Sequence, residues 1–184
     1  APSLKGTPNS PALVTKTTGL PYVPDATCEL WEDFLCSCQD GRQEVVDFVQ
    51  KALGYSLTGD QREKCLFLCH GQSDTGKSTF IETVARLLGE YAVTADIETF
   101  FESKANDGKI RSDIARLAGA RLVTTAESKE GRRLDDGLVK KATGGDKITA
   151  RHLPQNEFTF QPLFHLWIST NHKPVIRDSS NAIW

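Results

Sequence analysis

Apolar side chains recur at helical spacing twice before the chain changes character. Across residues 27–38, Leu30, Trp31, Phe34 and Leu35 fall at the intervals of one helix face, which predicts a short helix. Val45, Val46, Val49, Ala52 and Leu53 repeat the pattern. Asp40 and Gln43 stand there as a capping box and Gly54 as a stop, so a second helix is expected. From Cys65 onward, short apolar runs alternate with helical stripes. Residues 65–69 read as a buried strand, and Ile81, Val84, Ala85 and Leu88 as a helix that Gly89 ends. Residues 92–95 are a candidate strand, and Ile110, Ile114 and Leu117 a further helix. The β-branched run at 121–126 follows Gly119 and closes at Glu127. Residues 147–153 and 157–161, on either side of Pro154, Gln155 and Asn156, predict a hairpin, and 164–170 a last strand. Alternating strands and helices imply an α/β domain with a mainly parallel sheet, preceded by short helices.

Composition sharpens that picture in three places. The first 24 residues hold Pro2, Pro8, Pro11, Pro21 and Pro24 among Ser, Thr and Gly, and such a stretch sustains neither a helix nor a central strand. The expected organisation is an extended arm at 1–24, a helical lead-in at 25–60 and a core at 61–184. A chain of 184 residues buries about 70% of its unfolded surface and needs no staples. The five cysteines, Cys28, Cys36, Cys38, Cys65 and Cys69, are therefore expected as free thiols, with zinc the alternative against which the spacing of Cys36 and Cys38 argues. A net charge of −2 excludes a broadly basic surface, although a few cations on one loop can still grip phosphates. No apolar run approaches the length that spans a bilayer, and the start lacks a signal-peptide core; a soluble, cytoplasmic protein, not a secreted one, is expected. The chain contains no methionine, which reads as an excerpt of a longer polypeptide.

The sharpest chemical signal is at Gly71, Gln72, Ser73, Asp74, Thr75, Gly76, Lys77 and Ser78, a complete G-x-x-x-x-G-K-[ST] between a predicted strand and a predicted helix. Glycines let the backbone amides curl inward, and the helix start adds unpaired N–H donors through Thr79, so the segment is built to hold phosphates. Lys77 reaches the β- and γ-phosphates as a point charge, and the Ser78 hydroxyl is placed to ligate Mg²⁺. Hydrolysis also needs a group to orient water. In a parallel sheet the strand ends line the ligand crevice, which nominates Glu127 as general base and, through water, as a metal ligand. Asn171, at the end of the last strand, is a hydrogen-bonding partner for water or the γ-phosphate on one reading and a turn residue on the other.

Taken together, residues 54–59, the phosphate loop, 119–123, 143–151, 158–162, 170–174 and 182–184 resemble the helicase part of phage and plasmid primase-helicases, a branch of superfamily 3. The resemblance runs from about Pro24 to the end. It implies a P-loop NTPase core of AAA+ type that hydrolyses ATP with Mg²⁺, assembles as a homo-hexamer, encircles single-stranded or forked DNA and is coupled to replication, with a primase domain a possible covalent neighbour. On matching residues it implies motif A at 71–78, the motif B carboxylate at Glu127, motif B′ at 143–153 and the sensor of motif C at Asn171. It also nominates Lys147, Arg151 and His152 of the hairpin for DNA contact, and leaves Lys140 and Lys141 as an exposed helix face. Two departures stand out. Asp74 adds negative charge where relatives have a neutral loop, and must point outward. Relatives continue past Ala182, Ile183 and Trp184 with a basic pair resembling an arginine finger, so the chain as given is expected to bind ATP and turn it over poorly. The rival readings are a nucleotide-regulated assembly module and a small-molecule P-loop kinase.

Overall fold

The computed structural model describes residues 15–102, 111–126 and 132–176. Glu127, Ile110 and the segment from Ala182 to Trp184 lie outside the described residues, as do the first 14 of the expected arm.

Both lead-in helices form where the stripes predict them, α1 at Glu29–Cys38 and α2 at Gln43–Thr58. Two details differ from expectation. Gly54 does not stop α2; the helix runs on to Thr58 and ends at Gly59, whose φ of 68° only a glycine adopts freely. An interior glycine costs about 1 kcal/mol, and the extra turn offsets that cost by burying Ser56 completely against the sheet. The expected capping box also does not form. Asp40 takes a left-handed turn conformation, φ 51°, and Arg42 caps α2 with no side-chain bond, so Gln43 is free to donate to Asp47 within the helix at 2.8 Å.

The core then follows in chain order: β1 (Phe67–His70), α3 (Lys77–Leu88), β2 (Ala92–Thr94), α4 (Ser112–Ala115), β3 (Leu122–Ala126), α5 (Asp136–Gly144), β4 (Ile148–Arg151), β5 (Glu157–Phe160) and β6 (His165–Thr170). Four strands pair in parallel in the order β1-β6-β3-β2, while β4 and β5 make a separate antiparallel pair. The stripe through Ile114 and Leu117 yields only a one-turn helix; a further turn at 115–120 buries Leu117 without extending α4.

Side chains alternate across the pleated sheet, so each face has its own core. On one face Leu122 and Trp167 join Leu35, Val46, Ala52, Phe80, Val84 and Leu88 from α1, α2 and α3. On the other, Val123, Leu166 and Ile168 meet Phe100, Phe101, Ile114, Val139, Ile148 and Ala150. On the first face Trp167 Nε1 donates to Ser56 Oγ at 3.0 Å, which in turn donates to the Ala52 carbonyl at 2.8 Å. The end of the arm is tied down too. Thr17 N–H donates to the Glu90 carboxylate at 2.8 Å, and Tyr91 Oη donates to the Lys16 carbonyl at 3.0 Å. Among the described residues no helix is long and apolar enough to cross a membrane.

Candidate functional site

A parallel sheet brings the C-terminal ends of its strands to one edge, and here that edge carries the loop after β1. Gly76, at φ 81°, turns the chain into α3. The first intrahelical bond is Phe80 N–H to the Gly76 carbonyl at 2.9 Å, so the amides of Lys77, Ser78 and Thr79 precede the helical ladder and stand at its positive end. The first turn of α3 carries no acidic residue to neutralise it. Lys77, half-buried, folds its ammonium back over the loop: Nζ donates to the Gly71 carbonyl at 2.9 Å, to the Gln72 carbonyl and to Thr75 Oγ1 at 3.3 Å. Thr75 Oγ1 itself donates to the Gln72 carbonyl at 2.8 Å. Gln72, Ser73, Asp74, Thr75, Ser78 and Thr79 are exposed. Asp74 tolerates its φ of 61° as short polar residues do and faces solvent, as its charge requires.

Strand order decides what faces this loop. β6 pairs with β1 on one side and β3 on the other, so the end of β6 lies between the loop and the end of β3. The Asn171 side chain donates to Ser73 Oγ at 3.4 Å, and Gly71 N–H donates to the Thr170 carbonyl at 3.3 Å. The turn reading of Asn171 is thereby joined to a side-chain contact with the loop. β3 ends at Ala126, in register with Ser169, and the sequence puts Glu127 next; its side chain lies outside the described residues.

Beside the loop is a cavity of about 430 Å³ between α1, α2 and β1. Phe34, Phe48, Val49 and Phe67 give it an apolar wall, Gln39, Arg42 and His70 a polar one, and Gly71, Thr75 and Lys77 form its floor. Neither α1 nor α2 was nominated by motif spacing. The available signal was the aromatic content of their stripes and Phe48, which is 59% exposed although it sits on a helix of the core. Cys69 also lines the cavity. Burial pushes its thiol up to about 11, with Lys77 opposing, which keeps it protonated and poorly nucleophilic at neutral pH. All five cysteines are free thiols, and among the described residues no cluster of three or more His, Cys, Asp or Glu is placed to hold a metal ion.

The hairpin separates its three nominated residues. Ile148 and Ala150 are buried and Lys147 and Thr149 exposed, while Arg151 is half-buried, its Nε inside without a hydrogen-bond partner. Arg151 stands opposite Glu157 in register, and His152 stacks on Phe158 with centroids 5.3 Å apart. Lys147 precedes β4 at the other end of the strand, so Arg151 and His152 sit at the tip and Lys147 at the base. Lys141 is exposed, whereas Lys140 is half-buried rather than part of an open face.

The family model described as "Family of unknown function (DUF5906)" matches residues 69–182. "Putative helicase L207/L206" of Acanthamoeba polyphaga mimivirus is 27% identical over 138 residues, 75% of this chain and 14% of that protein. "Putative helicase V13" of Sputnik virophage is 29% identical over 139 residues, 72% of this chain and 18% of that protein. The chain thus spans less than a fifth of the length of these curated relatives. Among solved structures, the apo structure of the NrS-1 C terminal region (305-718) superposes with a TM-score of 0.66 at 15% identity, over 84% of this chain and 37% of that one. At that identity the likeness is one of fold.

Proposed function

We propose that this chain, which belongs to the family of unknown function DUF5906, is the ATP-hydrolysing core of a DNA helicase of superfamily 3 type, with a P-loop NTPase fold of AAA+ kind. One observation carries the reading. Lys77, at the start of α3, folds over the loop that Asn171, from the neighbouring strand, also touches. A cation, a helix start and a hydrogen-bonding side chain thus converge on a glycine-hinged turn. The names of the viral relatives support the same direction.

The residues fit a magnesium triphosphate. Gly76 offers the backbone turn, the amides of Lys77, Ser78 and Thr79 precede the ladder, and the Lys77 ammonium, now on carbonyls, exchanges them for phosphate oxygens of higher charge. Ser78 is the residue to hold Mg²⁺, which when bound neutralises charge on the phosphate oxygens. Gly71, Gln72, Ser73, Asp74 and Thr75 supply the rest of the cradle, and the aromatic-walled cavity has room for the base. Glu127 accepts a proton from the attacking water while Asn171 orients it, and the cleaved bond releases inorganic phosphate and ADP. Arg151 and His152 at the hairpin tip meet single-stranded or forked DNA, Lys147 at its base contributing charge, and copies of the chain in its parent protein close a homo-hexameric ring, with a primase domain as a covalent neighbour.

The test is Mg·ATP titrated into the chain and into its Lys77→Ala variant, followed by hydrolysis in the parent protein with and without single-stranded DNA. Binding abolished by the substitution, and hydrolysis stimulated by DNA, support the reading. A Lys77→Ala protein of full activity defeats it. Binding without hydrolysis in the parent selects the assembly-module alternative.

A further inference from the structure

One face of α1 rests on the hinge of the phosphate loop. Trp31, Phe34 and Cys38 are three and four residues apart and so share a helix face. A methyl group built on Gly76 would lie 2.8 Å from Cys38 Sγ and 3.1 Å from the Phe34 ring, so these two side chains already fill the space outside the hinge. One position earlier in this contact row, Trp31 stacks on Phe80 at 5.8 Å and 13°, and Phe80 is the residue whose amide closes the first helical bond on Gly76. Phe80 leans in turn on Trp167, at 5.5 Å. The hinge is therefore held between α1 outside it and the sheet beneath α3.

We propose that Phe34 is a positioning residue for nucleotide binding: with Cys38 it pins Gly76, and thereby the direction of Lys77 and the first amides of α3, so that α1 sets the affinity of the loop for triphosphate. The proposal rests on the nucleotide reading above. Its logic is preorganisation. A loop held in its binding geometry loses less freedom on capture of an anion than one that must be ordered at that moment, and a misplacement of about 1 Å is costly at such sites. Gly76 itself has no side chain by which to be held, so the constraint must come from what presses on it.

The experiment measures affinity for magnesium tripolyphosphate, which carries no base to touch the Phe34 wall of the cavity, beside that for Mg·ATP, by titration calorimetry at a temperature where melting curves show every protein folded. Phe34→Ala is expected to weaken binding about tenfold, and Phe34→Leu, which restores bulk against the hinge, to recover most of the loss. A merely structural role would lower the melting temperature of Phe34→Ala and leave the affinity of the folded protein unchanged. Folded Phe34→Ala of wild-type affinity overturns the proposal. If Phe34→Ala does not fold, Cys38→Ala carries the test, with weakening of about threefold expected and wild-type affinity overturning it. Failure of the wild-type chain itself to bind Mg·ATP removes the nucleotide reading first, a result separate from either of these.

Discussion

The loop after β1 and the β4–β5 hairpin carry most of the nominated residues, and they are built in opposite ways. The loop is fixed from several sides: β6 pairs with the strand before it, Asn171 touches Ser73, and α1 presses on Gly76. Its chemistry resides largely in backbone amides and one lysine, groups whose directions the fold sets. The hairpin is a separate two-stranded sheet, anchored by the buried Ile148 and Ala150 and presenting side chains outward. Its chemistry resides in long or exposed side chains. A compact, preorganised cradle suits a small anion whose atoms must be placed to within fractions of an ångström; an outward-facing rim suits a polyanion gripped by charge.

That contrast is broken most directly at Lys77. Lys77→Ala is expected to cost about a hundredfold or more in ATP turnover, measured in the parent protein, while DNA affinity without nucleotide stays within about twofold; parallel loss of both would show that loop and hairpin are not separable. Next in size, Trp167→Ala removes the buried indole beneath α3 and is expected to destabilise the fold by about 3–5 kcal/mol. Trp167→Phe, which keeps a ring but loses the bond to Ser56 and part of the buried bulk, costs about 1–3 kcal/mol, and denaturant titration of the pair reads the difference. Asn171→Ala is expected to lower turnover about tenfold with nucleotide affinity little changed, a split that steady-state kinetics resolves. At the hairpin, Arg151→Ala is expected to weaken DNA binding severalfold and to reduce the salt slope by about one, with His152→Ala smaller and neither altering ATP affinity in the absence of DNA.

The gentlest lever is pH, acting at the end of β6 away from the loop. His165 is 1% exposed, and neither ring nitrogen reaches a hydrogen-bond partner. Burial holds its imidazole below the ordinary histidine value. The unfolded chain therefore binds a proton that the folded one resists, so this contribution to stability is complete above about pH 6.5 and is lost as pH falls toward the depressed folded value. Stability measured from pH 8 to 5 should decline across that window, and His165→Phe should flatten the decline.

Much of this architecture is legible in the amino-acid sequence. The loop after β1 is readable because its pattern is local: a glycine at the turn, a lysine at the helix start and a strand before it are contiguous in the chain. The hairpin is readable from alternation, though alternation alone does not separate Lys147 at its base from Arg151 and His152 at its tip. Gly54 misleads because an interior glycine costs only about 1 kcal/mol, less than burial of the next turn returns. Asp40 misleads because it serves a left-handed turn rather than a cap. The part of α1 and α2 in the site is hidden because their apolar stripes look the same whether they cover a sheet or press on a loop.

By itself, then, the chain determined its element types, its glycine-hinged turn with a lysine at the helix start, and the charge it brings to a rim, since each depends on neighbours within a few residues. Tertiary structure alone decided that β6 stands between β1 and β3, that Asn171 meets Ser73, and that Phe34 and Cys38 close on Gly76. Those contacts join residues tens of positions apart, and their geometry follows from how helices pack on a twisted sheet, a collective outcome of burial that no local spacing encodes.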